Sequence, residues 1–281
     1  MVELRGPPGD RTPEALIEFG VVNLDKPPGP TAHQVSAWMA NLIGASKAAH
    51  AGTLDPKVTG CLPTLLGAGT RLVPALLEGE KAYVAVLELH ETPPTDLESV
   101  LDSFEAEIYQ KPPRKSAVSR TLRTRTVSEL SVLEVEDRQV LLRIECESGT
   151  YIRKLCHDLG MALGTGAHMG DLRRVATTPF DDADLVTLHD VSDAMARWTE
   201  DDDASWLREV IDPGERALSH LPSVIVAPSA GREIAHGAPV YAPGVIRADD
   251  ADEWDLVACY TPNEAAVCLG RLVGNPDADS G

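Results

Sequence analysis

One loop and the apolar run that follows it constrain this chain more than any other stretch. Residues 50–60 are rich in Gly, Thr, Asp and Pro, and the run from Cys61 to Leu66 is almost entirely apolar. Gly, Asp and Pro specify tight turns, so residues 50–60 predict a rigid loop. Pro56 also disfavours the α conformation at Asp55. The apolar run predicts that the loop is anchored directly to a core.

The carboxylate of this loop, Asp55, has two interpretations. His50 lies five residues before it and Arg71 sixteen residues after it, and these side chains could form a site around the carboxylate. The simpler interpretation is a turn residue whose carboxylate accepts backbone N–H groups. Spacing alone favours the turn residue.

Length and composition limit the class of protein. With 281 residues, of which 43% are hydrophobic, the chain is long enough for one large domain and a small one. No apolar run reaches the length of a membrane span, and no signal-peptide pattern opens the chain. The five cysteines show no C-x-x-C spacing, which disfavours zinc and fits a reducing cytosol. We therefore expect a cytoplasmic protein without a bound metal.

The net charge of −19 argues at first against a nucleic-acid partner. In molar salt, however, the Debye length falls to about 3 Å, and an acidic surface no longer repels phosphates at range. The acidic residues are concentrated between 181 and 203, whereas residues 111–125 carry no acid. This second segment, the basic strip, predicts a surface that faces a polyanion, although a solvated face is the alternative. Its cations are Lys111, Arg114, Lys115, Arg120, Arg123 and Arg125.

Hydrophobic periodicity predicts a mixed α+β chain without internal repeats. Alternation predicts strands over residues 83–89 and 140–147. Residues 20–30 predict a short strand that runs into a rigid turn, and another strand is expected from residue 168. A capping box at Thr31 and Gln34 begins a helix. Its predicted core stripe is Val35, Trp38, Met39, Leu42 and Ile43. Cap residues predict the starts of three later helices at Thr95 (with Glu98), Thr150 and Thr187.

Changes in composition and in the length of the predicted elements suggest domain boundaries. Residues 1–18 are rich in Gly and Pro and predict an N-terminal tail. From residue 221 onward, short β runs alternate with Gly and Pro turns, which is typical of a small β-barrel-like module. We therefore expect a large domain over 19–220, the small module over 221–274 and a flexible tail over 275–281.

Several common catalytic motifs are missing. Residues 67–72 place Leu72 where a dinucleotide-binding loop needs its third Gly, and the chain contains no P-loop. It also lacks a G-x-S-x-G elbow and an H-E-x-x-H helix. Cys156, His157 and Asp158 are adjacent on a predicted helix, so their side chains point in different directions and cannot form a thiol site.

Four segments, taken in order, resemble the successive motifs of the TruB-type pseudouridine synthases. They are Gly20–Pro30, His50–Gly60, Gly149–Arg153 and His168–Arg174, and the match extends over roughly residues 19–180. Residues 110–125 are similar to the archaeal and eukaryotic dyskerin branch, the catalytic subunit of box H/ACA ribonucleoproteins. Bacterial tRNA enzymes of the family carry a longer insertion here. Residues from 221 onward resemble the PUA RNA-binding module of the same branch.

The resemblance implies a fold and an activity. The fold would be α+β, with a mixed, mainly antiparallel central sheet flanked by helices and loops, followed by a small β-barrel-like PUA module. The activity would be the isomerisation of uridine to pseudouridine in RNA, without a cofactor or a metal. The implied partners are a box H/ACA guide RNA, a substrate RNA, mainly rRNA, and the small accessory proteins of the particle.

The same resemblance assigns the catalytic residues. Asp55 would be the catalytic carboxylate, acting as a nucleophile or as a proton acceptor at the sugar. Arg153 would pair with Asp55 and keep it ionised and aimed. Tyr83 would stack on the flipped uracil and assist proton transfer at C5.

Other residues are implied to bind the substrate. Tyr151 and Leu172 match the apolar lining of the uracil pocket, although the pattern alone would place both in the core. His50 matches the residue that fills the stack left by the flipped base, and Arg71 matches a basic residue that orients the active-site loop. The basic strip is the expected contact for the RNA backbone. A guide-independent tRNA pseudouridine synthase and a non-catalytic RNA-binding scaffold remain as alternatives.

Overall fold

The computed structural model of the chain describes residues 4–112 and 121–273, which contain two sheets. The larger sheet has the order β10-β1-β3-β8-β4-β7-β6-β5, with β2 beside β3 and β9 beside β8. Within it only β3 and β8 pair parallel, so the predicted mixed, mainly antiparallel sheet is confirmed. Its strands are β1 Gly20–Lys26, β2 Ala48–His50, β3 Thr59–Leu66, β4 Lys81–Leu89, β5 Glu107–Gln110, β6 Arg123–Glu136, β7 Gln139–Cys146, β8 Ala167–Thr177, β9 Phe180–Asp181 and β10 Asp212–Pro213.

Helices flank the larger sheet. One hydrophobic cluster joins its central strands to α4 and α5, and another joins β1 to α1, α2 and α6. None of the helices in the described ranges has the length and apolarity to cross a membrane. The α-helices are α1 Pro13–Glu18, α2 Ala32–Ile43, α3 Val73–Leu77, α4 Leu97–Asp102, α5 Ile152–Ala162, α6 Leu188–Asp201, α7 Leu207–Val210 and α8 Pro228–Ala235. Short 3-10 helices occupy Pro8–Asp10, Gly67–Leu72, Gly214–Leu218 and Ala242–Gly244.

The helix predicted after Thr31 is α2, and its capping box with Gln34 is present. Its core stripe is narrower than the periodicity predicts. Val35, Met39 and Ile43 are buried, whereas Trp38 is 48% and Leu42 36% exposed. The buried face also includes the small residues Ala32 and Ser36, so it is turned away from Trp38 and Leu42.

Two of the other predicted caps are wrong. Asp96, not Thr95, precedes α4, and no side chain caps that helix. The hydroxyl of Thr150 donates to the carbonyl of Glu147 at 2.7 Å instead of capping α5, which begins after Tyr151. The cap at Thr187 is confirmed, because its hydroxyl accepts from the amide of Asp190.

The second sheet forms the C-terminal module. It consists of β11 Ser223–Val226, β12 Val245–Ala248, β13 Leu256–Tyr260 and β14 Ala266–Arg271, in the order β12-β11-β13-β14. The predicted β runs are therefore confirmed, but the four strands form an open sheet and not a closed barrel. Helix α8 packs over the core of this sheet through Ala230 and Ile234.

Residues 4–18 do not behave as the predicted tail. Leu16 of α1 is buried in the main core, and the Arg11 guanidinium forms a bidentate ion pair with the Glu215 carboxylate. Glu215 also accepts from the amide of Ala266 in β14 at 2.9 Å, and Arg5 donates to the Ala266 carbonyl. The Gly and Pro content of this segment indicated a tail, but its apolar side chains and its arginine find buried partners far along the chain.

The end of β1, the start of β3 and the middle of β8 meet at one place in the large sheet. Gly60 of β3 lies beside Lys26 of β1 on one side and Arg174 of β8 on the other. A Cβ at Gly60 would lie 2.1 Å from the Arg174 carbonyl oxygen, and its φ is +99°, so glycine is required there. The loop that contains Asp55 emerges immediately before this junction.

Candidate active site

Lys26 holds the part of the loop that follows Asp55. Its side chain is fully buried, and its Nζ donates to the carbonyl oxygens of Pro27 at 2.9 Å, Pro56 at 3.0 Å and Val58 at 2.9 Å. Burial lowers the pKa of Lys26 from its usual value. Because two of the three acceptors follow Asp55 directly, the ammonium group fixes the backbone that carries the carboxylate.

Asp55 and Arg153 form an ion pair, as the resemblance implies. Arg153 lies in the first turn of α5, so this helix brings the guanidinium to the loop. Both side chains are about half exposed, at 52% for Asp55 and 53% for Arg153. An exposed pair of this kind contributes little to stability, and its main effect is to orient the carboxylate toward solvent.

Tyr83 is buried in β4 beside Arg174, its register partner in β8. Burial raises the pKa of the Tyr83 hydroxyl, whereas the Arg174 guanidinium, which also hydrogen-bonds that hydroxyl, opposes the increase. Leu54, the residue before Asp55, belongs to the same hydrophobic cluster as Tyr83. The loop that carries the carboxylate and the strand that carries the phenol therefore contribute to one hydrophobic cluster.

Arg174 is a further element of the site, and its role is not evident from the motif. It is only 1% exposed, its Nε donates to the carbonyl of Cys61 at 2.7 Å, and its Nη2 donates to the carbonyls of Gly52 at 3.2 Å and Ala51 at 3.5 Å. The strand period of two could have found it, because neighbouring residues of a strand face opposite sides. Arg173 points the other way and forms a bidentate pair with Asp25.

Lys81, at the start of β4, is a third buried cation near the loop. Its Nζ donates to the carbonyls of Leu77 and Gly79, and its Cε lies 3.7 Å from the position of a Cβ on Gly52. Burial, followed by the charge of Arg174, lowers the pKa of Lys81 to about 8. The loop therefore sits in a strongly positive local field.

His50 and Leu172 lie close to this group. His50 is half-buried in β2, and its Nδ1 has no hydrogen-bond partner among the described residues. Burial, and then the charges of Arg174 and His33, lower the pKa of His50. Leu172 of β8 is in the hydrophobic cluster that contains Tyr83.

Tyr151 is placed by Gln110, a residue that the sequence analysis missed. The Gln110 side chain is 1% exposed, and its amide exchanges two hydrogen bonds with the backbone of Tyr151, at 2.9 Å and 3.3 Å. Tyr151 immediately precedes α5, which carries Arg153 two residues later. The end of β5 is thus tied directly to the backbone that positions Arg153.

The structure does not bring Arg71 to this group. Arg71 lies in the 3-10 helix that follows β3, whereas Asp55 precedes β3, and the eight residues of this strand span about 26 Å. Its charge acts instead on Arg5, near the N-terminal segment. The motif gives the order of residues along the chain, but it does not give the distance that the extended strand β3 puts between Asp55 and Arg71.

The basic strip extends from the hairpin of β5 and β6. Lys111 is exposed and Arg123 is half-buried, whereas Arg114, Lys115 and Arg120 lie outside the described residues. Arg125 is not free of acid, because it pairs with Glu147 at 3.5 Å. Glu147, which is 22 residues further along the chain, therefore neutralises part of the positive charge of the strip at Arg125.

The residues converge into a simple chemical arrangement. The Asp55 carboxylate is half-exposed and is aimed by the Arg153 guanidinium, and its neighbour Leu54 belongs to the hydrophobic cluster that contains Tyr83. Such a carboxylate can act as a nucleophile or accept a proton. Within the described ranges, no cluster of three or more His, Cys, Asp or Glu side chains is placed to hold a metal ion.

Family models match nearly the whole chain. They are described as "DKCLD (NUC011) domain" over residues 6–36, "TruB family pseudouridylate synthase (N terminal domain)" over 40–97 and "Pus10, C-terminal" over 74–172. Two further models are "tRNA pseudouridylate synthase B C-terminal domain" over 153–219 and "PUA domain" over 222–277.

Known proteins are similar over the same length. Proteins named "Probable tRNA pseudouridine synthase B" are 65% identical in Halobacterium salinarum, covering 99% of this chain and 96% of that protein, and 59% identical in Haloarcula marismortui, covering 99% and 90%. The structure described as "Crystal Structure of a Cbf5-Nop10-Gar1 Complex" superposes with a TM-score of 0.94 at 45% identity, covering 100% of this chain and 88% of the other.

A second solved structure, "Structure of H/ACA RNP bound to a substrate RNA containing 2'-deoxyuridine", superposes with a TM-score of 0.91 at 43% identity, covering 100% and 88% of the two chains. The order of the matched domains, the length of the match and the pairing of Asp55 with Arg153 agree with one another. This chain therefore belongs to the TruB family of RNA pseudouridine synthases, in its archaeal dyskerin-type branch.

Proposed function

We propose that this chain is the catalytic subunit of an archaeal box H/ACA guide RNA–protein complex and isomerises chosen uridines, mainly in rRNA. The observation that carries the proposal is the superposition of the whole chain on the protein of the Cbf5-Nop10-Gar1 complex, with a TM-score of 0.94. The short connection between β5 and β6, residues 111–122, supports it, because the bacterial tRNA enzymes carry a longer insertion in this region.

The reaction breaks the bond between N1 of uracil and C1′ of ribose and forms a bond between C5 and C1′. The proton on C5 is lost and N1 gains one, so the product is an isomer of the substrate. In this proposal the Asp55 carboxylate acts at the sugar, either on C1′ or on a sugar proton. Arg153 aims the carboxylate, and Lys26 holds the loop in place.

The base must leave its stack to reach this carboxylate. We propose that Tyr83 stacks on the flipped uracil and assists proton transfer at C5. Tyr151 and Leu172 would form the apolar lining of the uracil pocket. His50 would occupy the space that the base leaves. Its lowered pKa supports a neutral ring at neutral pH, which packs against bases without an added charge.

In such a complex, base pairing with the guide selects the target, and the protein reads shape and phosphates. We assign the phosphate contacts to the basic strip and to the PUA-like module, and we divide the chain into a catalytic domain over 19–220 and this module over 221–274. Small accessory proteins complete the proposed particle. The scattered free cysteines support a location in the cytoplasm.

A second candidate is a guide-independent synthase that acts on the T-loop uridine of tRNA. The names of the relatives in Halobacterium salinarum and Haloarcula marismortui favour it. A non-catalytic scaffold is disfavoured because the sequence keeps Asp55, Tyr83 and Arg153 together and Asp55 and Arg153 are ion-paired.

The three candidates are separated by one assay. The purified chain is incubated in high salt with a target rRNA fragment or with unmodified tRNA, each with and without guide RNA and accessory proteins, and pseudouridine is measured. We expect product in the rRNA fragment only when guide and accessory proteins are present. Product from tRNA alone, with none from the guided target, would replace the guided function by the tRNA function, and no product at all would favour the scaffold.

A further inference from the structure

Two of the five cysteines lie directly opposite each other in the C-terminal sheet. Cys259 of β13 and Cys268 of β14 are register partners in an antiparallel pair. Directly opposed residues in such a pair point to the same face and have Cα atoms about 4.5–5.5 Å apart. Disulfide-bonded cysteines have Cα atoms about 4.4–6.8 Å apart. The backbone of this pair therefore already fits a cross-strand disulfide.

The other three cysteines lack this arrangement. Cys61, Cys146 and Cys156 are all fully buried, and burial raises their pKa values to about 12, 11 and 12. Cys268 differs because it is only partly buried, so a small oxidant can reach its sulfur.

The two thiols also influence each other. The neighbouring thiol lowers the pKa of Cys268 and raises that of Cys259. A partly exposed thiol is the one that an oxidant attacks first, and a neighbouring thiol can then resolve the product. Position and exposure thus give the two sulfurs different roles.

We propose that Cys259 and Cys268 form a redox-responsive modification site, at which a peroxide introduces a reversible disulfide between β13 and β14. The Cys268 thiolate attacks a peroxide oxygen, the O–O bond breaks, and a sulfenic acid forms with release of one water. The Cys259 sulfur then attacks the Cys268 sulfur, the S–O bond breaks, and a second water leaves. In sum, two thiols and hydrogen peroxide give one disulfide and two waters, and a dithiol reverses the reaction.

The position of the bond would couple it to the rest of the molecule. The register of β13 and β14 shifts between Cys259 and Tyr260, directly beside the pair. Ala266, two residues before Cys268, donates its amide to Glu215 and accepts from Arg5. The disulfide would therefore fix the strand through which the module contacts the large domain.

The test treats the folded, full-length chain in high salt with hydrogen peroxide, blocks the remaining thiols with N-ethylmaleimide and maps the products by mass spectrometry. Glu264 lies between the two cysteines, so cleavage after glutamate separates them unless a disulfide links the peptides. We expect linked peptides that carry Cys259 and Cys268, which dithiothreitol separates. Cys61, Cys146 and Cys156 should stay reduced until the chain is denatured.

Matched variants make the result decisive. Cys259→Ser should abolish the link and let Cys268 proceed to sulfinic acid, Cys268→Ser should leave Cys259 reduced, and Cys156→Ser should link as the wild type does. Circular dichroism confirms that each variant is folded. The proposal is overturned if Cys268 oxidises in the wild type without linking, if the link joins two chains or other cysteines, or if no cysteine of the folded chain reacts.

Discussion

Lys26 and Arg174 hold the active-site loop through backbone carbonyls. Together they donate to carbonyl oxygens on both sides of Asp55, from Ala51 and Gly52 to Pro56 and Val58. A hydrogen bond to a charged group contributes about 1.5–3 kcal/mol, so these contacts outweigh the exposed ion pair of Asp55, which contributes at most about 1 kcal/mol. The loop is therefore rigid before any substrate binds.

Arg174→Lys tests this arrangement. Lysine keeps the charge but not the forked geometry, so it cannot serve the Cys61, Gly52 and Tyr83 groups at once. We expect turnover to fall at least about tenfold with a smaller change in RNA affinity. We also expect the pKa of Tyr83 to rise, because the guanidinium lowers it in the wild type. Turnover reports the first effect, and NMR of ring-labelled tyrosine reports the second.

Arg173→Lys is the matched control, because Arg173 is the neighbouring cation and faces Asp25 instead. It should leave the Tyr83 pKa unchanged. If Arg174→Lys also leaves this pKa and the turnover unchanged, the assignment of Arg174 as a positioning residue is wrong.

His50 makes stability depend on pH. Its pKa in the folded chain lies below the usual 6.5, so between these values the unfolded chain binds more protons. The contribution of His50 is therefore fully present above about pH 6.5 and is lost as the pH falls below it. In urea unfolding, His50→Gln should lose less stability than the wild type between about pH 7 and about pH 5. Equal losses would contradict the burial of a neutral ring, and His157→Gln at an exposed position is the control.

At the scale of elements, the β5–β6 hairpin and α5 act together. Gln110 at the end of β5 holds the Tyr151 backbone, and Tyr151 precedes the helix that carries Arg153. The same hairpin carries the basic strip. A displacement of the hairpin when RNA binds the basic strip would therefore be transmitted to Arg153 through the buried side chain of Gln110.

Gln110→Leu should break this connection. The variant removes the hydrogen bond that the Tyr151 amide donates to Gln110, and the loss of such a bond at a buried group costs about 1–3 kcal/mol. The Tyr151 carbonyl still accepts from the amides of Lys154 and Leu155. We expect a lower free energy of unfolding and a turnover reduced more than RNA affinity, measured by denaturant titration and single-turnover assays. Glu107→Gln, an exposed change on the same strand, should have neither effect. Equal losses of affinity and turnover would argue for a general effect on RNA binding.

Local patterns predicted most elements but not their connections. The capping box of α2, the cap of α6 and the strands β1, β4, β7 and β8 follow from hydrogen bonding and periodicity within a few residues. The sequence did not predict that Lys26, Arg174 and Gln110 are buried and hold the site. Their partners are backbone atoms, which every residue has, so no residue type marks these contacts. Arg71 was misplaced because a motif gives order along the chain but not distance across a strand.

At the scale of the whole molecule, the net negative charge sets how stability depends on salt. The chain has 44 acidic and 25 basic residues, so repulsion among the excess carboxylates opposes folding. Salt screens this repulsion as well as the attraction within ion pairs, and because acid is in excess we expect screening to stabilise the fold on balance. The acidic composition and the haloarchaeal relatives agree with a chain adapted to high salt.

Dilution of salt should therefore destabilise the fold. The Debye length grows from about 3 Å at 1 M to about 10 Å at 0.1 M, and distant carboxylates then repel one another. We expect the midpoint of thermal unfolding to fall steadily over this range, as followed by circular dichroism. Sucrose at equal osmolarity is the control, and we expect that it does not restore the midpoint that the salt supports. A midpoint that does not change with salt would refute the account of the acidic surface.

The proposed reaction depends above all on the carboxylate of Asp55. Asp55→Asn keeps the size of the side chain and removes only an exposed charge, so the fold and the many phosphate contacts should persist. Asp158→Asn, which removes a carboxylate paired with Lys154 on α5, is the matched control. The most direct measurement is pseudouridine formation by the wild type and both variants, together with RNA affinity. We predict that Asp55→Asn lowers turnover by at least about a thousandfold, with affinity within about threefold of the wild type. Substantial pseudouridine formation by Asp55→Asn would contradict the account.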